Sequence, residues 1–205
     1  MALSTFAKVS AVKPSALLNE SLIAFVDQIR CTRERLLDVA YHNRGTWEAL
    51  PDGAKWSPPN KLGYNYLRNA TVRDVEDGMA LTVRVRDDLR TVITFATDPE
   101  AKLITATGVG AHVEDRVPIA FLRCRARQAT FAWCISLNGK PARIEWLPVC
   151  GEDGNALPKA VAVAMRIVNA DGQAWHIVAN PDCQSITVQL TSGTKWHTER
   201  AFAVR

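Results

Sequence analysis

The strongest constraint on this chain is a two-residue alternation of apolar and polar side chains that recurs on both sides of turn-forming dipeptides. In LTVRVRDDLRTVITF, Leu81, Val83 and Val85 point one way, Thr82, Arg84 and Arg86 the other, and the pattern resumes beyond Asp87-Asp88. Successive side chains of a strand face opposite sides of its sheet, so this pattern predicts a half-buried hairpin. TFAWCISLNGKPARIEWLPV repeats the form around Asn138-Gly139, AVAVAMRIVNADGQAWHIVA around Asp171-Gly172, and SITVQLTSGTKWHTERAFAV around Ser192-Gly193. Asn-Gly and Asp-Gly suit such turns because both residues tolerate positive φ. A short helical turn is expected over Lys13–Glu20, and no other segment carries a helical period. The expectation is an all-β protein, an antiparallel β-sandwich of about a dozen strands in two stacked sheets. Residues 1–205 form a single domain on this reading, with a weak internal boundary in the Gly151–Pro158 loop. A second long loop, Thr46–Lys61, contains Trp47 and Trp56, unusual freight for a connector.

Size and composition narrow the function classes. A chain of 205 residues buries roughly two-thirds of its unfolded surface, so it needs no metal or disulfide to fold. Its five cysteines are odd in number and form no CxxC pair, which reads as small apolar packing in a reducing compartment. The net charge of +4 permits a polyanionic partner, but no Lys/Arg block points to nucleic acid. Met1–Leu18 lacks the apolar stretch of an export signal, and no apolar run is long enough to span a membrane. His42, His112, His176 and His197 have no partner at metal-ligand spacing, so neither metal nor cofactor is expected. No nucleophile elbow, phosphate-binding glycine loop or HExxH motif occurs.

The chemistry-bearing stretch is RLLDVAYHNRG, residues 35–45. His42 and Arg44 share one strand face, Tyr41 and Asn43 the other. A guanidinium offers a two-pronged donor to a uronate carboxylate, an imidazole adds a proton or a hydrogen bond, and an aromatic ring stacks on a sugar face. Trp47, Trp56, Tyr64 and Tyr66 follow closely, either as sugar platforms or as a cap on the core. Arg123, Arg125 and Arg127, spaced by two, form a cationic row that must meet solvent, carboxylates or a polyanion. The binding candidates are therefore His42, Arg44, Tyr41, Asn43, Trp47 and Tyr64. No residue is assigned a catalytic role, because no paired base and acid is visible.

LIAFVDQIRCTRERLLDVAYHNRG resembles the Val-Asp-x-x-Arg … Asp-x-x-Tyr-His-x-x-Gly run of heparinase II/III-type polysaccharide lyases. GVGAHVEDRVPIAFLRCRARQATFAWCIS resembles a second stretch of the same C-terminal β-sheet domain. The resemblance implies β-elimination of a uronate-containing polysaccharide, in which a base removes the C5 proton and an acid protonates the leaving oxygen. In that family the base and acid sit mainly in an α/α-toroid domain preceding the sheet domain, and this sequence contains no such helical part. The resemblance thus implies a fragment of a larger lyase, inactive alone, whose cellular location, cytoplasmic or periplasmic, is set by the missing part. The alternative is a stand-alone, non-catalytic carbohydrate-binding or interaction module.

Overall fold

The computed structural model describes residues 9–76, 78–97 and 100–205. Within these residues strand is the dominant structure, and the one helical segment is a 3-10 turn at Tyr64–Tyr66. Ten strands form one large antiparallel sheet: β1 (Val9–Val12), β2 (Ser15–Asn19), β3 (Leu22–His42), β4 (Thr46–Ala49), β5 (Ala54–Lys55), β6 (Arg68–Asp74), β7 (Ala80–Arg86), β8 (Leu89–Thr97), β9 (Lys102–Val109) and β10 (Arg116–Ser136). β11 (Arg143–Leu147), β13 (Val163–Val168), β14 (Ala174–Ala179) and β17 (Phe202–Val204) form a second sheet. β12 (Val149–Cys150), β15 (Ile186–Gln189) and β16 (Lys195–Thr198) form a third.

Two 21-residue strands, β3 and β10, organise the large sheet. They pair along their whole length, and on its other edge β10 takes β9 with its first half and β8 with its second. Inward side chains from β3, β7, β8, β9 and β10 meet in a single core around Leu81, Ile93, Phe95, Leu103, Leu122 and Phe131. The sheet therefore closes over itself, a sandwich made from one ribbon. A β-bulge lets β10 serve this core from end to end: its register with β3 shifts between Ala126 and Gln128. Inward positions are even-numbered up to that point (Ala120, Leu122, Cys124, Ala126) and odd-numbered after it (Ala129, Phe131). Across the irregularity Arg127 of β10 stands opposite four residues of β3, Cys31–Glu34, and the alternation of β10 changes phase there.

The opposite face of the ribbon is also apolar. Leu22, Ala24, Val26, Ala132 and Cys134 pack against Ile144, Met165, Ile167 and Ile177 of the second sheet. Burial pushes the Cys134 thiol up to about 12, so this cysteine is inert packing. The second sheet's other face packs Ala164 and Val178 against Ile186 and Val188 of the third. Polar bonds add to the first of these joints. Arg30 Nε donates to the carbonyl of Ala160, Gln28 Nε2 donates to that of Lys159, and Arg30 pairs with Asp182 at 2.7 Å.

The all-β antiparallel sandwich is as expected, but its layering exceeds two stacked sheets. Hairpins form at Asp87-Asp88, Asp171-Gly172 and Ser192-Gly193. Asn138-Gly139 turns the chain without making a hairpin. Gly139 has φ 75°, and Asn138 Oδ1 accepts from Ser136 Oγ and the Lys140 amide, yet β11 pairs with β13 and not with β10. Lys13–Glu20 contains strand β2 in place of the expected helical turn, because pairing with Leu22–Phe25 satisfies its backbone. Thr46–Lys61 is less of a loop than anticipated, since it contributes the short edge strands β4 and β5. Gly151–Pro158 is a loop between β12 and β13, tied by a bridge from Cys150 to Ala156. The five cysteines are free, two of them buried and Cys183 exposed. Among the described residues no helix is long and apolar enough to cross a membrane.

Candidate functional site

β3 runs out at His42, and the next three residues carry the chain across to β4. The Asn43 amide donates to the Pro118 carbonyl, and its side-chain amide reaches Thr91 Oγ1, both at 3.3 Å. Gly45 sits at φ 119°, and a Cβ there would lie 2.3 Å from the Arg84 carbonyl oxygen. Only glycine fits, because the turn lies directly on β7. This turn fixes His42 and Arg44 on the surface while Tyr41 points into the core.

A cleft of about 310 Å³ opens between this turn and the one joining β9 to β10. His42, Asn43 and Arg44 form one wall, and Gly110, Ala111 and Asp115 the other, with Val109 and Val117 completing the lining. The opposite turn is built by its own backbone. The Gly110 amide donates to the Asp115 carbonyl, and the Ala111 amide donates to Asp115 Oδ2 at 2.9 Å. A Cβ on Gly110 would lie 2.3 Å from that carboxylate oxygen, so the glycine is what lets Asp115 close the turn. The neighbouring Gly108 makes room for Ile119, whose side chain occupies the space of a Cβ. One side chain here is thus a carboxylate committed to its own turn, facing an imidazole and a guanidinium. Among the described residues Arg44 is in no ion pair.

The other candidates do not line this cleft. Tyr41 packs edge-on to Trp133 with ring centroids 6.0 Å apart. Its hydroxyl is buried without a well-formed hydrogen bond among the described residues. Burial raises its pKa above the ordinary 10.0, and the nearby Thr91 and Asn43 partly oppose this. Trp47 is half-buried, and its indole N–H donates to the Ala106 carbonyl at 2.9 Å, pinning β4 to β9. Tyr41 is part of the core and Trp47 packs partly against it.

Tyr64 belongs to a second polar cluster, on the outer face of β3 and β10. Asp38 and Arg123 are register partners. Arg123 Nε and Nη2 donate to the two Asp38 oxygens at 2.7 Å each. The Tyr64 hydroxyl donates to Asp38 Oδ2 at 2.6 Å and accepts from Arg123 Nη2 at 2.9 Å. The rings of Trp56 and Tyr64 stand 5.2 and 5.4 Å from the guanidinium carbon. This closed knot staples the segment around Trp56–Leu67 over Ala70, Ala106, Ile119 and Phe121. Asp38 raises the Arg123 pKa further. Arg125 reaches only Glu34, at 3.8 Å, and Arg127 lies at the bulge, so the expected three-arginine row is not one unit.

A groove of about 470 Å³ lies beside the knot, lined by Lys55, Trp56, Arg68 and Asn69 among others and by no carboxylate. Two arginines near it are held by the carbonyls of the 3-10 turn. Arg68 Nη1 donates to those of Asn65 and Leu67, and Arg116 Nη1 to that of Tyr66. Asp38 entered the sequence reading only as the Asp of the Asp-x-x-Tyr-His run, and Arg68, Arg116 and Asp115 were not singled out, since it is the fold that brings these residues to their partners. No group of three or more His, Cys, Asp or Glu poised for a metal occurs among the described residues. A scan against protein-family models finds no match for this chain, and a search of curated proteins finds none either.

Proposed function

We propose that this chain is an acidic-saccharide-binding β-sandwich, the sheet domain of a heparinase II/III-type polysaccharide lyase. It supplies a wall of the substrate cleft and no catalytic group. The observation that carries the binding half of this reading is the cleft between the two turns. Three of the six anticipated residues, His42, Asn43 and Arg44, line it together, and Arg44 forms no ion pair among the described residues. A uronate carboxylate would give that guanidinium the two-pronged partner it lacks, next to an imidazole that donates or accepts. The lyase half rests on the resemblance of residues 22–45 and 108–136. Its base and acid would come from the helical toroid.

Calorimetric titration of the wild-type chain and Arg44→Ala with alginate and heparin oligomers, at two salt concentrations, tests the reading. Arg44→Ala is expected to weaken binding by about 1.5–3 kcal/mol, the worth of a hydrogen bond to a charged group. Affinity should fall as salt rises. Arg44→Lys should restore it only in part, since a point charge does not reproduce the planar fork. Equal affinities for wild type and Arg44→Ala would remove Arg44 from the site. Absence of binding by the wild type would overturn the reading. The chain alone should release no unsaturated uronate from either polymer.

A further inference from the structure

The cleft at Arg44 and the groove at Arg68 lie at the same end of the large sheet, and the strand register connects them. The Asn43 amide bonds to Pro118, Pro118 pairs with Thr107, and Thr107 pairs with Arg68. These four residues form one row across β3, β10, β9 and β6. Arg116 opens β10 in that row's neighbourhood, paired with Val109 of the cleft wall. Three inter-strand steps put the two ends of the row roughly 14 Å apart, beyond the reach of a single sugar unit. Three arginines are therefore found at one end of the sheet: Arg44 next to Asn43, Arg116 two residues before Pro118, and Arg68 at the far end of the row.

Among the described residues, none of the three is in an ion pair. Carbonyls orient Arg68 and Arg116 but leave their charge uncompensated. The carboxylates in the turn between β9 and β10 are Glu114 and Asp115, and Asp115 already accepts the Ala111 amide. The groove beyond Arg68 adds Lys55 and Trp56 and contains no acid. Guanidinium groups without a carboxylate partner suit an anionic ligand with charges spaced along its length. An indole beside cations suits a ligand with both apolar ring faces and carboxylates.

We infer that the ligand is a chain and not a single unit: an acidic oligosaccharide that lies across the sheet end from Arg44, past Arg116, to the Arg68–Trp56 groove. This inference rests on the acidic-saccharide reading of the Arg44 cleft. It adds a second subsite, at Lys55, Trp56 and Arg68, and a direction of travel.

Titration with a disaccharide and a hexasaccharide cut from the same polyuronate tests it. The hexasaccharide should bind more tightly than the disaccharide. Arg68→Ala should weaken the hexasaccharide about tenfold, the equivalent of one charge-assisted hydrogen bond, and leave the disaccharide unchanged. Because Arg68 also holds a turn, Lys55→Glu provides a second variant, at an exposed position on the groove rim. It should produce the same length-dependent loss by repulsion. Equal affinities for both lengths, or hexasaccharide binding untouched by both variants, would overturn the subsite while leaving the Arg44 site standing. Failure of the wild type to bind either length would remove both readings together.

Discussion

Arg123 and Arg44 stand on the same pair of strands, β10 and β3, yet they inhabit opposite chemical situations. Arg123 is held by Asp38 through two hydrogen bonds, touched by Tyr64 and flanked by two rings, its side chain only 14% exposed. Arg44, at the end of β3, is exposed and paired with no carboxylate among the described residues. The first has its Nε and Nη2 donors and its charge met from within the fold, so it holds structure together. The second has its charge unanswered and its position fixed by a glycine turn. The lesson is that the partner, not the residue type or its spacing, separates a structural arginine from a binding one.

This contrast can be broken by substitution. The largest effect should come from Asp38→Ala, which strands the Arg123 guanidinium in a mostly buried place. Urea unfolding should register a loss of about 3 kcal/mol, the lower end of the range for a buried pair stripped of one member. A loss under about 0.5 kcal/mol, typical of surface changes, would mean the knot is ornamental. Gly45→Ala should come next, at about 1–3 kcal/mol, because it forces a side chain into a positive-φ position already occupied by the Arg84 carbonyl. A variant as stable as wild type would show that the turn can move off β7.

Tyr64→Phe should cost about 1 kcal/mol, one hydrogen bond's net worth, and should also change the alkaline limb of stability. Burial and then Asp38 raise the Tyr64 pKa above the ordinary 10.0, with Arg123 opposing. A group whose folded pKa exceeds its unfolded value stabilises the fold while protonated. Its contribution is complete below pH 10 and is lost as the pH climbs through the raised folded value. Tyr64→Phe should flatten the fall in stability above pH 10, leaving only what Tyr41 and other groups contribute. An unchanged slope would place the titration elsewhere. The smallest effect on stability belongs to Arg44→Ala, within about 0.5 kcal/mol. A larger loss by thermal unfolding would erase the distinction from Arg123.

The strands and most turns were legible because they are local. Leu81, Val83 and Val85 alternate with polar residues, and Asp171-Gly172 and Ser192-Gly193 supply the backbone a tight turn demands. Partner choice was not legible. Asn138-Gly139 has the chemistry of a hairpin turn, yet the strand leaving it finds its neighbour in β13, which no dipeptide announces. Lys13–Glu20 became a strand because β3 offered an edge, tertiary context overriding a weak local preference. The site followed the same division. His42, Asn43 and Arg44 are contiguous and were found. Asp38 and Arg123 lie 85 positions apart and meet only through register, so their pairing left Tyr64 in a knot where a sugar platform was expected. Alternation along a regular strand also placed Arg127 on the face of Arg123, whereas the bulge breaks the regular strand at that residue.

That bulge has a consequence for how the chain tolerates changes in length. Every residue of β10 after Ala126 is assigned to its side of the ribbon by the change of phase at that irregularity, much as a frameshift reassigns every codon beyond it. Deleting one residue there would carry Phe131 and Ala129 out of the central core and present Thr130 to it. The same step would turn Ala132 and Cys134 away from the second sheet. Two cores that share no residue would fail together. Substitutions around Arg127 should be well tolerated, while a one-residue deletion should abolish folding, and a compensating insertion a few positions later should rescue it. The segment is therefore free in composition and fixed in count.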